Sequence, residues 1–351
     1  MTYCPNCGTE YQTQPARCQC GYLFGHGQIA ATVSAPATAA FDYQGSSSHL
    51  LLLYLKLIGL SIVTLGIYSF WGRTEIRRYL WSQIRFAGQP FGYHGTGKEM
   101  FLGWLLFVGG LICVYVTLGA FAVALGPEGA LAVGVLYLGA LGLIAPYAMH
   151  GAIRYRWSRT SWAGRRFAYR GDFLQFAAII WLGVVLSIVT LSLYLPIFLT
   201  QLRKHVVENT WFGGQPFHFE GEGKELLWPW AKCLLLLLPT LGIYRFWFQA
   251  EMNRYHWMRT RFAEVPFRST VDGGSLFLLT VTNYLLTVFT LGIGYPWAVS
   301  RKLSYLTENL KLESLPRIQL LEQPTDGSSA VGDVLGGTLG TDAGIDAGFG
   351  L

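Results

Sequence analysis

Six stretches of the chain are apolar and almost free of charge, and short polar segments separate them. The stretches cover residues 50–72, 100–127, 129–151, 173–201, 226–250 and 273–300. A helix needs roughly 20 residues to cross a hydrocarbon core of about 30 Å, and every stretch is long enough. Backbone groups cannot stay unpaired in lipid, and these stretches are too long for barrel strands. The pattern therefore predicts an all-α membrane protein with six transmembrane helices.

Two short motifs recur along the chain. The sequence TLGIY at 64–68 returns at 240–244, with near-copies TLSLY at 190–194 and TLGIG at 290–294. A second motif, a box of the form Phe-x-Tyr-x-Gly, opens at Phe41, Phe91, Phe167, Phe217 and, in degenerate form, Phe267. The boxes lie 50 residues apart, except for a spacing of 76 between the second and third. We interpret the chain as five repeats of about 50 residues, the second carrying one additional helix after a turn at 126–129.

The composition supports a membrane location. Charged residues make up 13%, apolar residues 52% and Phe, Trp and Tyr 15% of the chain, against about 25% charged residues in an average soluble domain. Aromatic residues are enriched where a protein meets the membrane surface. The net charge of +6 is interpreted as topology and contact with anionic lipids, so membrane lipids are the expected partners and no nucleic acid is expected.

The connectors between the apolar stretches indicate a topology. Those after the first, second and fourth repeats contain Arg-Tyr-x-Trp, and those after the third and fifth contain Glu-Asn. Six crossings place the two classes on opposite sides, with both termini on one side. The excess of Lys and Arg puts the first class in the cytosol and the termini outside. In an alternative, the apolar stretches are re-entrant and every connector is cytosolic; it ranks lower because lipid-exposed breaks in a helix are penalised.

Four cysteines near the N-terminus predict a zinc ribbon. Cys4 and Cys7 are separated by two residues on a turn closed by glycine, and Cys18 and Cys20, separated by one residue, form a second, tighter pair. Four thiolates saturate a tetrahedral ion, so a bound Zn²⁺ would be structural. His26 is an alternative fourth ligand, and disulfides or unused thiols are alternative readings. Zinc thiolates favour a reducing compartment, so the cysteines place this end in the cytosol, against the charge bias.

These features divide the chain into four parts. Residues 1–27 form the zinc-ribbon-like segment and 28–40 a flexible linker of small residues. Residues 41–315 form the repeat-built transmembrane domain, and the Gly- and Asp-rich tail at 316–351 is expected to be disordered.

Two sets of residues are candidates for function. Lys56 and Lys232 lie inside apolar stretches, where a charge either marks a functional site or snorkels to the interface. The Arg-Tyr-x-Trp connectors are predicted to anchor the protein at the lipid interface rather than to bind a substrate; their residues are Arg78, Tyr79, Trp81, Arg154, Tyr155, Trp157, Arg254, Tyr255 and Trp257. The glycine-rich segments at 95–99 and 221–225 lack the order of a phosphate loop. No catalytic constellation is present, so an enzyme is not expected.

The segment TLGIYSFWGRTEIRRYLWSQIRFAGQPFGYHGTGKE at 64–99 and PTLGIYRFW at 239–247 resemble the YjgN-like family of bacterial inner-membrane proteins, a family of unknown function. The resemblance covers residues 41–315 and implies a multi-pass protein of the bacterial inner membrane, with no catalytic residues to carry over. Two function hypotheses follow. One is transport of a small molecule, because transporters use repeats of alternating orientation; the other is a non-transporting scaffold or sensor whose zinc ribbon binds a protein partner.

Overall fold

The computed structural model describes residues 2–3, 10–11 and 39–314. Near the N-terminus, β1 (Thr2–Tyr3) pairs antiparallel with β2 (Glu10–Tyr11). The four cysteines of the predicted zinc ribbon, nearly all of the predicted linker and the predicted tail at 316–351 lie outside the described residues.

Residues 39–314 repeat one order of elements: a strand of five residues, a helical hairpin and a strand of three residues. The elements are β3 (Ala39–Tyr43), α1 (Ser47–Val63), α2 (Ser69–Gln83), β4 (Ile84–Phe86), β5 (Gln89–Tyr93), α3 (Gly97–Arg159), β6 (Thr160–Trp162), β7 (Arg165–Tyr169), α4 (Phe173–Val189), α5 (Leu195–Glu208), β8 (Thr210–Phe212), β9 (Gln215–Phe219), a 3₁₀ turn (Gly223–Leu226), α6 (Leu227–Leu237), α7 (Arg245–Met258), β10 (Thr260–Phe262), β11 (Val265–Ser269), α8 (Gly273–Phe289), α9 (Tyr295–Glu308) and β12 (Leu310–Leu312).

The strands β3 to β12 close into one antiparallel barrel, in which neighbours along the chain are neighbours in the sheet. The ring is closed by β12 and β3, which pair Lys311 with Ala40 and Leu312 with Ala39. The prediction of an all-α protein is therefore wrong. The first three residues of the Phe-x-Tyr-x-Gly boxes lie in the longer strands of this barrel.

Two kinds of connection alternate around the barrel. At one end, two-residue turns join neighbouring strands, and both turn residues have positive φ, as at Ala87 (49°) and Gly88 (77°). Turns of this kind match the twist of paired strands. At the other end, each connection is a helical hairpin. Since consecutive strands are antiparallel, all five helical hairpins leave the barrel at the same end, and both termini of the barrel domain lie at the opposite end.

Aromatic side chains fill the barrel. The box phenylalanines of the longer strands stack across it, with ring centroids 6.3 Å apart for Phe41 and Phe91 and 6.4 Å for Phe91 and Phe167. The last residues of the short strands form a second layer against them; they are Phe86, Trp162, Phe212, Phe262 and Leu312. Phe-rich boxes at fixed spacing therefore build one shared core, which is the main hydrophobic cluster of the described residues.

The predicted six transmembrane helices are also wrong, because four apolar stretches fold back on themselves. The TLGIY motif is the tip of a helical hairpin: α1 ends at Val63, Leu65 and Gly66 take φ of 51° and 90°, and α2 begins at Ser69. The same backbone recurs at Leu191, Leu241 and Leu291. Among the described residues, one segment, Gly97–Ala124, is long and apolar enough to cross a membrane.

The second unit carries a longer hairpin. Its helix α3 runs for 63 residues and is interrupted at Gly126, where φ is 69° and ψ is −169°, at the turn predicted from the sequence. The two ends of α3 meet at the barrel, where Arg159 Nη2 lies 2.8 Å from Glu99 Oε1. The corresponding hairpin of the first unit, residues 47–83, has 26 residues fewer. The two limbs of α3 are thus longer by 13 residues on average, or about 20 Å.

Candidate membrane-facing site

Four hairpin tips present leucine side chains to the surroundings. We define the hairpin tips as residues 64–68, 190–194, 240–244 and 290–294. The exposed fractions of their leucines are 94% for Leu65, 86% for Leu191, 91% for Leu241 and 94% for Leu291. The residues just before the tips are exposed as well, as at Val63 and Val189. All four tips lie at one end of the molecule, so they form one apolar face, and exposed apolar patches of this kind mark interaction sites.

The backbone of each hairpin tip is paired within the tip. In the first, the Gly66 amide donates to the Ser61 carbonyl at 2.7 Å and the Ile67 amide to Thr64 at 3.1 Å. The Thr64 hydroxyl donates to the Leu60 carbonyl at 2.7 Å and accepts from the Tyr68 amide at 2.9 Å. The threonines of the other three tips make the same two bonds. These bonds pair the amides of the chain reversal, and pairing of backbone groups is the main requirement for placing backbone in hydrocarbon.

Polar side chains face each other across the hairpins below the tips. Lys56 Nζ on α1 lies 2.8 Å from both carboxylate oxygens of Glu75 on α2. In the fifth unit, Arg301 Nη2 donates to the Thr282 hydroxyl at 3.3 Å, with the same separation of 19 residues. We call this level the polar rung. Lys56 is therefore an ion-paired residue of a helical hairpin, and Lys232 instead lies over the Tyr244 ring at 5.8 Å.

The tyrosines of the predicted lipid-interface set bond to the protein. The Tyr79 and Tyr255 hydroxyls each bridge the amide and carbonyl of one residue, Ser46 and Glu222 respectively, at the start of their own hairpins. Tyr155 is fully buried, and its hydroxyl donates to Glu99 Oε2 at 2.8 Å. These rings stabilise the bases of the first, second and fourth hairpins.

The tryptophans and arginines of that set also contact the protein, with one exception. Trp81, Trp157 and Trp257 each pack on the box phenylalanine ten residues later, with centroids 5.7, 5.2 and 5.1 Å apart. Arg78 donates to the Gly95 carbonyl at 3.1 Å and Arg254 to the Val271 carbonyl at 3.0 Å, whereas Arg154 is exposed. Lipid anchoring by these connectors stays a prediction, and the exposed Arg78 and Arg154 are its most direct candidates.

The glycine-rich segments at 95–99 and 221–225 are close-packing sites between neighbouring hairpins. A Cβ on Gly97 would lie 2.7 Å from Trp71 Cα, and one on Gly223 would lie 2.4 Å from Ile197 Cα. The glutamates that follow pair with the ends of their own hairpins, as Glu225 does with Arg259 at 2.9 Å. The sequence interpretation that these are not phosphate loops agrees with this packing role.

Two histidines at the barrel end of the hairpins, the half-buried His94 and the buried His256, are neutral near pH 7. Burial, with a smaller effect of Arg166 and other nearby arginines, lowers the pKa of His94 to about 4, and its Nε2 lies 2.8 Å from the Ser161 hydroxyl. Burial and the adjacent Arg203 lower the pKa of His256 to about 3. In the part of the chain that the structure describes, no cluster of three or more His, Cys, Asp or Glu side chains could hold a metal ion.

The sequence interpretation missed the tip leucines. It treated each apolar stretch as a straight helix and TLGIY as the end of a crossing. Two signals in the sequence point to the reversal: a Leu-Gly pair in three of the four motifs, and polar residues placed on both sides of the first motif, Lys56 before it and Glu75 after it. A helix that folds back at its centre brings such residues to the same depth.

Comparison with known proteins places the chain in a family. The family model described as "Bacterial protein of unknown function (DUF898)" matches residues 38–241, 214–274 and 231–338. The inner membrane protein YjgN of Escherichia coli O157:H7 is 32% identical over 130 residues, which cover 37% of this chain and 31% of that protein. YjgN of Salmonella typhimurium strain LT2 is 30% identical over 135 residues, which cover 37% and 32%. No solved structure matches the chain.

The chain spans about a third of the length of the relatives that it matches. Their names confirm the predicted location in the bacterial inner membrane. The family matches together cover most of the chain, including the whole barrel and all five hairpins. The chain therefore belongs to the family of bacterial proteins of unknown function called DUF898, and the predicted resemblance to YjgN-like inner-membrane proteins is confirmed.

Proposed function

We propose that this protein is a membrane scaffold that holds a barrel at the cytosolic surface, inserts four hairpin tips into the near leaflet and crosses the bilayer with the long hairpin α3. The observation that carries the proposal is that four exposed leucine tips leave the barrel at the same end. This arrangement corresponds to the re-entrant alternative of the sequence analysis. That alternative ranked lower because helix breaks exposed to lipid are penalised, and the hydrogen bonds within the hairpin tips reduce this penalty.

Helix lengths support a depth of one leaflet for the four short hairpins. From the polar rung at Lys56 to the tip at Leu65 the helix rises through nine residues, about 14 Å, which is close to half of a hydrocarbon core of about 30 Å. The long hairpin extends about 20 Å further. It would reach the opposite surface, where its Gly126-Pro127-Glu128-Gly129 turn supplies a polar end.

Charge supports a cytosolic barrel. Apart from Arg245, which begins α7 directly after the fourth hairpin tip, every Lys and Arg between residues 39 and 314 lies within two residues of the polar rung or on the barrel side of it, and residues 100–153 contain none. The positive-inside bias then assigns the whole barrel side to the cytosol. The zinc-thiolate argument assigns the N-terminal segment to the same compartment, so the two sequence cues no longer disagree.

The filled barrel favours a scaffold over a transporter. Phenylalanine rings stack across the interior and a second aromatic layer lies against them, so a solute path through the barrel axis would require displacing the main core. A packed core together with basic residues on the barrel side of the exposed tips instead resembles the second sequence hypothesis. A protein partner of the predicted zinc ribbon and the lack of an enzymatic activity both remain parts of this proposal.

The test is the accessibility of single cysteines introduced into the full chain. Leu191→Cys lies at a hairpin tip, Glu128→Cys in the long turn and Glu264→Cys in a barrel turn. Right-side-out and inside-out vesicles are treated with a membrane-impermeant maleimide, and labelling is read on the corresponding peptide by mass spectrometry. We expect Leu191→Cys to be protected on both faces, Glu128→Cys to react only from outside and Glu264→Cys only from the cytosolic side. Reaction of Leu191→Cys from the outer face would contradict the insertion of the hairpin tips into the near leaflet.

A further inference from the structure

A cavity of about 310 Å³ lies where the fifth unit meets the first. It opens between α9 on one side and the loop from β3 to α1 on the other. Its polar lining comes mainly from Tyr43, Gly45, Ser300, Arg301, Ser304 and Glu308. This junction is unlike the others, because the ring of units is closed here by the first and last parts of the domain.

The cavity exists because one basic side chain is replaced. In the first and fourth units, Arg78 and Arg254 donate to the carbonyl 17 residues later, in the box of the next unit. The residue at this position in the fifth unit is Ser304, and the carbonyl at the matching position of the next box belongs to Gly45. Serine is too short to fill the volume of an arginine, so the space beside Gly45 stays open.

The acid that accompanies this basic position is retained. In the third unit, Lys204 Nζ lies 3.8 Å from Glu208 Oε1 one helical turn later. The fifth unit keeps the glutamate as Glu308 but has Ser304 in place of the lysine. Glu308 and Gly45 therefore line a cavity in a place where other units supply a cation.

The opposite end of the cavity is basic. Arg301 lies at the polar rung, two helical turns or about 10 Å from Glu308 along α9. The Ser300 hydroxyl lies beside it, 3.4 Å from the Tyr43 hydroxyl. Arginine with neighbouring hydroxyls is a common arrangement for binding a phosphate. The cavity thus has a basic end toward the membrane and an acidic end toward the barrel.

We propose that this cavity binds the headgroup of an amino-phospholipid of the ethanolamine type. The phosphate would lie at Arg301, and the primary ammonium would donate to Glu308 and to the Gly45 carbonyl, replacing the missing basic side chain. This proposal rests on the proposed insertion of the hairpin tips, because that insertion places Arg301 at the level of the lipid phosphates.

The test uses the purified full chain in vesicles of equal amounts of phosphatidylethanolamine and phosphatidylglycerol. Native mass spectrometry of the released protein counts the retained lipids. We expect the chain to retain phosphatidylethanolamine over phosphatidylglycerol by about fivefold, which corresponds to one partly exposed ion pair. Ser304→Arg fills the cavity and Glu308→Gln removes the carboxylate, and both should abolish the preference. Met258→Arg, which adds the same charge elsewhere, and Glu208→Gln, the matching acid of the third unit, should keep it.

Soluble phosphoethanolamine distinguishes a lipid headgroup from a free metabolite as the ligand of this cavity. Competition by the soluble compound at equal concentration would assign the site to a free metabolite, whereas the lipid assignment requires that it compete poorly. Equal retention of the two lipids by the unchanged chain, or an unchanged preference in Ser304→Arg, would overturn the proposal. If Leu191→Cys stays protected from maleimide in those same vesicles, the hairpins are inserted and only the headgroup site has failed.

Discussion

The Tyr79 hydroxyl forms hydrogen bonds with both backbone groups of Ser46: it accepts from the amide at 2.8 Å and donates to the carbonyl at 3.1 Å. The partners are 33 residues apart and lie at the two ends of one helical hairpin. Tyr305 makes the same pair of bonds with Asp272, at 3.1 and 3.2 Å. One phenol therefore ties the end of the second helix to the start of the first, just above the barrel.

Removing this hydroxyl should destabilise the hairpin without changing its shape. Tyr79→Phe removes two hydrogen bonds to the exposed Ser46 backbone, where water can replace the hydroxyl, so we expect a loss of about 0.5–1.5 kcal/mol in the free energy of unfolding. Thermal unfolding in detergent, followed by circular dichroism, measures it. Tyr284→Phe removes a hydroxyl from a ring that is 67% exposed and should have little effect; an equal loss in both variants would contradict the assigned role.

A methyl group added between two hairpins should be costly at one glycine and harmless at its neighbour. A Cβ on Gly273 would lie 2.7 Å from Trp247 Cα, whereas one on Gly274 would meet only the Asp272 side chain, at 3.2 Å. We expect Gly273→Ala to cost about 1–3 kcal/mol through overpacking against backbone. Gly274→Ala should be neutral or slightly stabilising because alanine favours a helix. Thermal unfolding of both variants in detergent, followed by circular dichroism, measures the two changes. Equal stability of the two variants would contradict this prediction.

Stability should fall in mild acid because of His94. Its folded-state pKa, about 4, lies below the ordinary value of about 6.5, so the unfolded chain binds the proton first as the pH falls. The stabilising contribution is present above pH 6.5 and is lost between pH 6.5 and 4. We expect the free-energy difference between the unchanged chain and His94→Gln to shift by about 1–3 kcal/mol across this window. His218→Gln, on an exposed ring, is the control; a constant difference would refute the prediction.

A charge at a hairpin tip should weaken membrane insertion. We expect Leu241→Asp to reduce the fraction of protein recovered in membranes, because a carboxylate within hydrocarbon costs about 2.5–3.5 kcal/mol. Gln89→Asp, at the first residue of β5 beside a barrel turn at the opposite end of the molecule, adds the same charge and should leave the recovery unchanged. Quantitative immunoblots of membrane and aggregated fractions provide the measurement, and parallel losses in both variants would argue against a lipid-facing tip.

Zinc content tests the N-terminal cysteines. We expect about one zinc ion per chain in the purified protein, lost in the double variant Cys4→Ser/Cys7→Ser, because four thiolates make a closed structural site. Unfolding of the barrel domain should be unaffected. The double variant Cys113→Ser/Cys233→Ser should keep its zinc, and full zinc content in the first variant would rule out the ribbon. Metal analysis by mass spectrometry after gel filtration gives the ratio.

The sequence predicted the membrane location and the family but not the fold. Apolar stretches and scarce charges report contact with lipid, and they do so equally for a crossing helix and for a hairpin that folds back at Leu65 and Gly66. The barrel was hidden because its short strands, such as Ile84–Phe86, hold too few residues to show an alternating pattern. The turn residues Ala87 and Gly88 were its local signal, and the paired strands on either side became visible only in three dimensions.

The sequence identified the residues of the Arg-Tyr-x-Trp connectors, but it did not predict which groups they contact. Tyr79, Trp81 and Arg78 stand out in the sequence by their spacing, and the structure gives each of them a protein contact. Their aromatic and basic character suits a lipid interface as well as a packed base of a hairpin, so composition alone could not choose. The cavity beside Ser304 is visible only once the first and last units are neighbours.

The pairing of β12 with β3 has a consequence for synthesis. The ring cannot close until Leu312 has left the ribosome, although Ala39 emerges more than 270 residues earlier. At roughly 5–20 residues per second, the first strand waits for about 14–54 s with an unpaired edge. Over that interval the nascent chain is an open arc whose exposed strand can capture the last strand of another copy as readily as its own. Tethering the early hairpins in the membrane would keep neighbouring arcs apart, so co-translational insertion would act as a safeguard against exchange between chains.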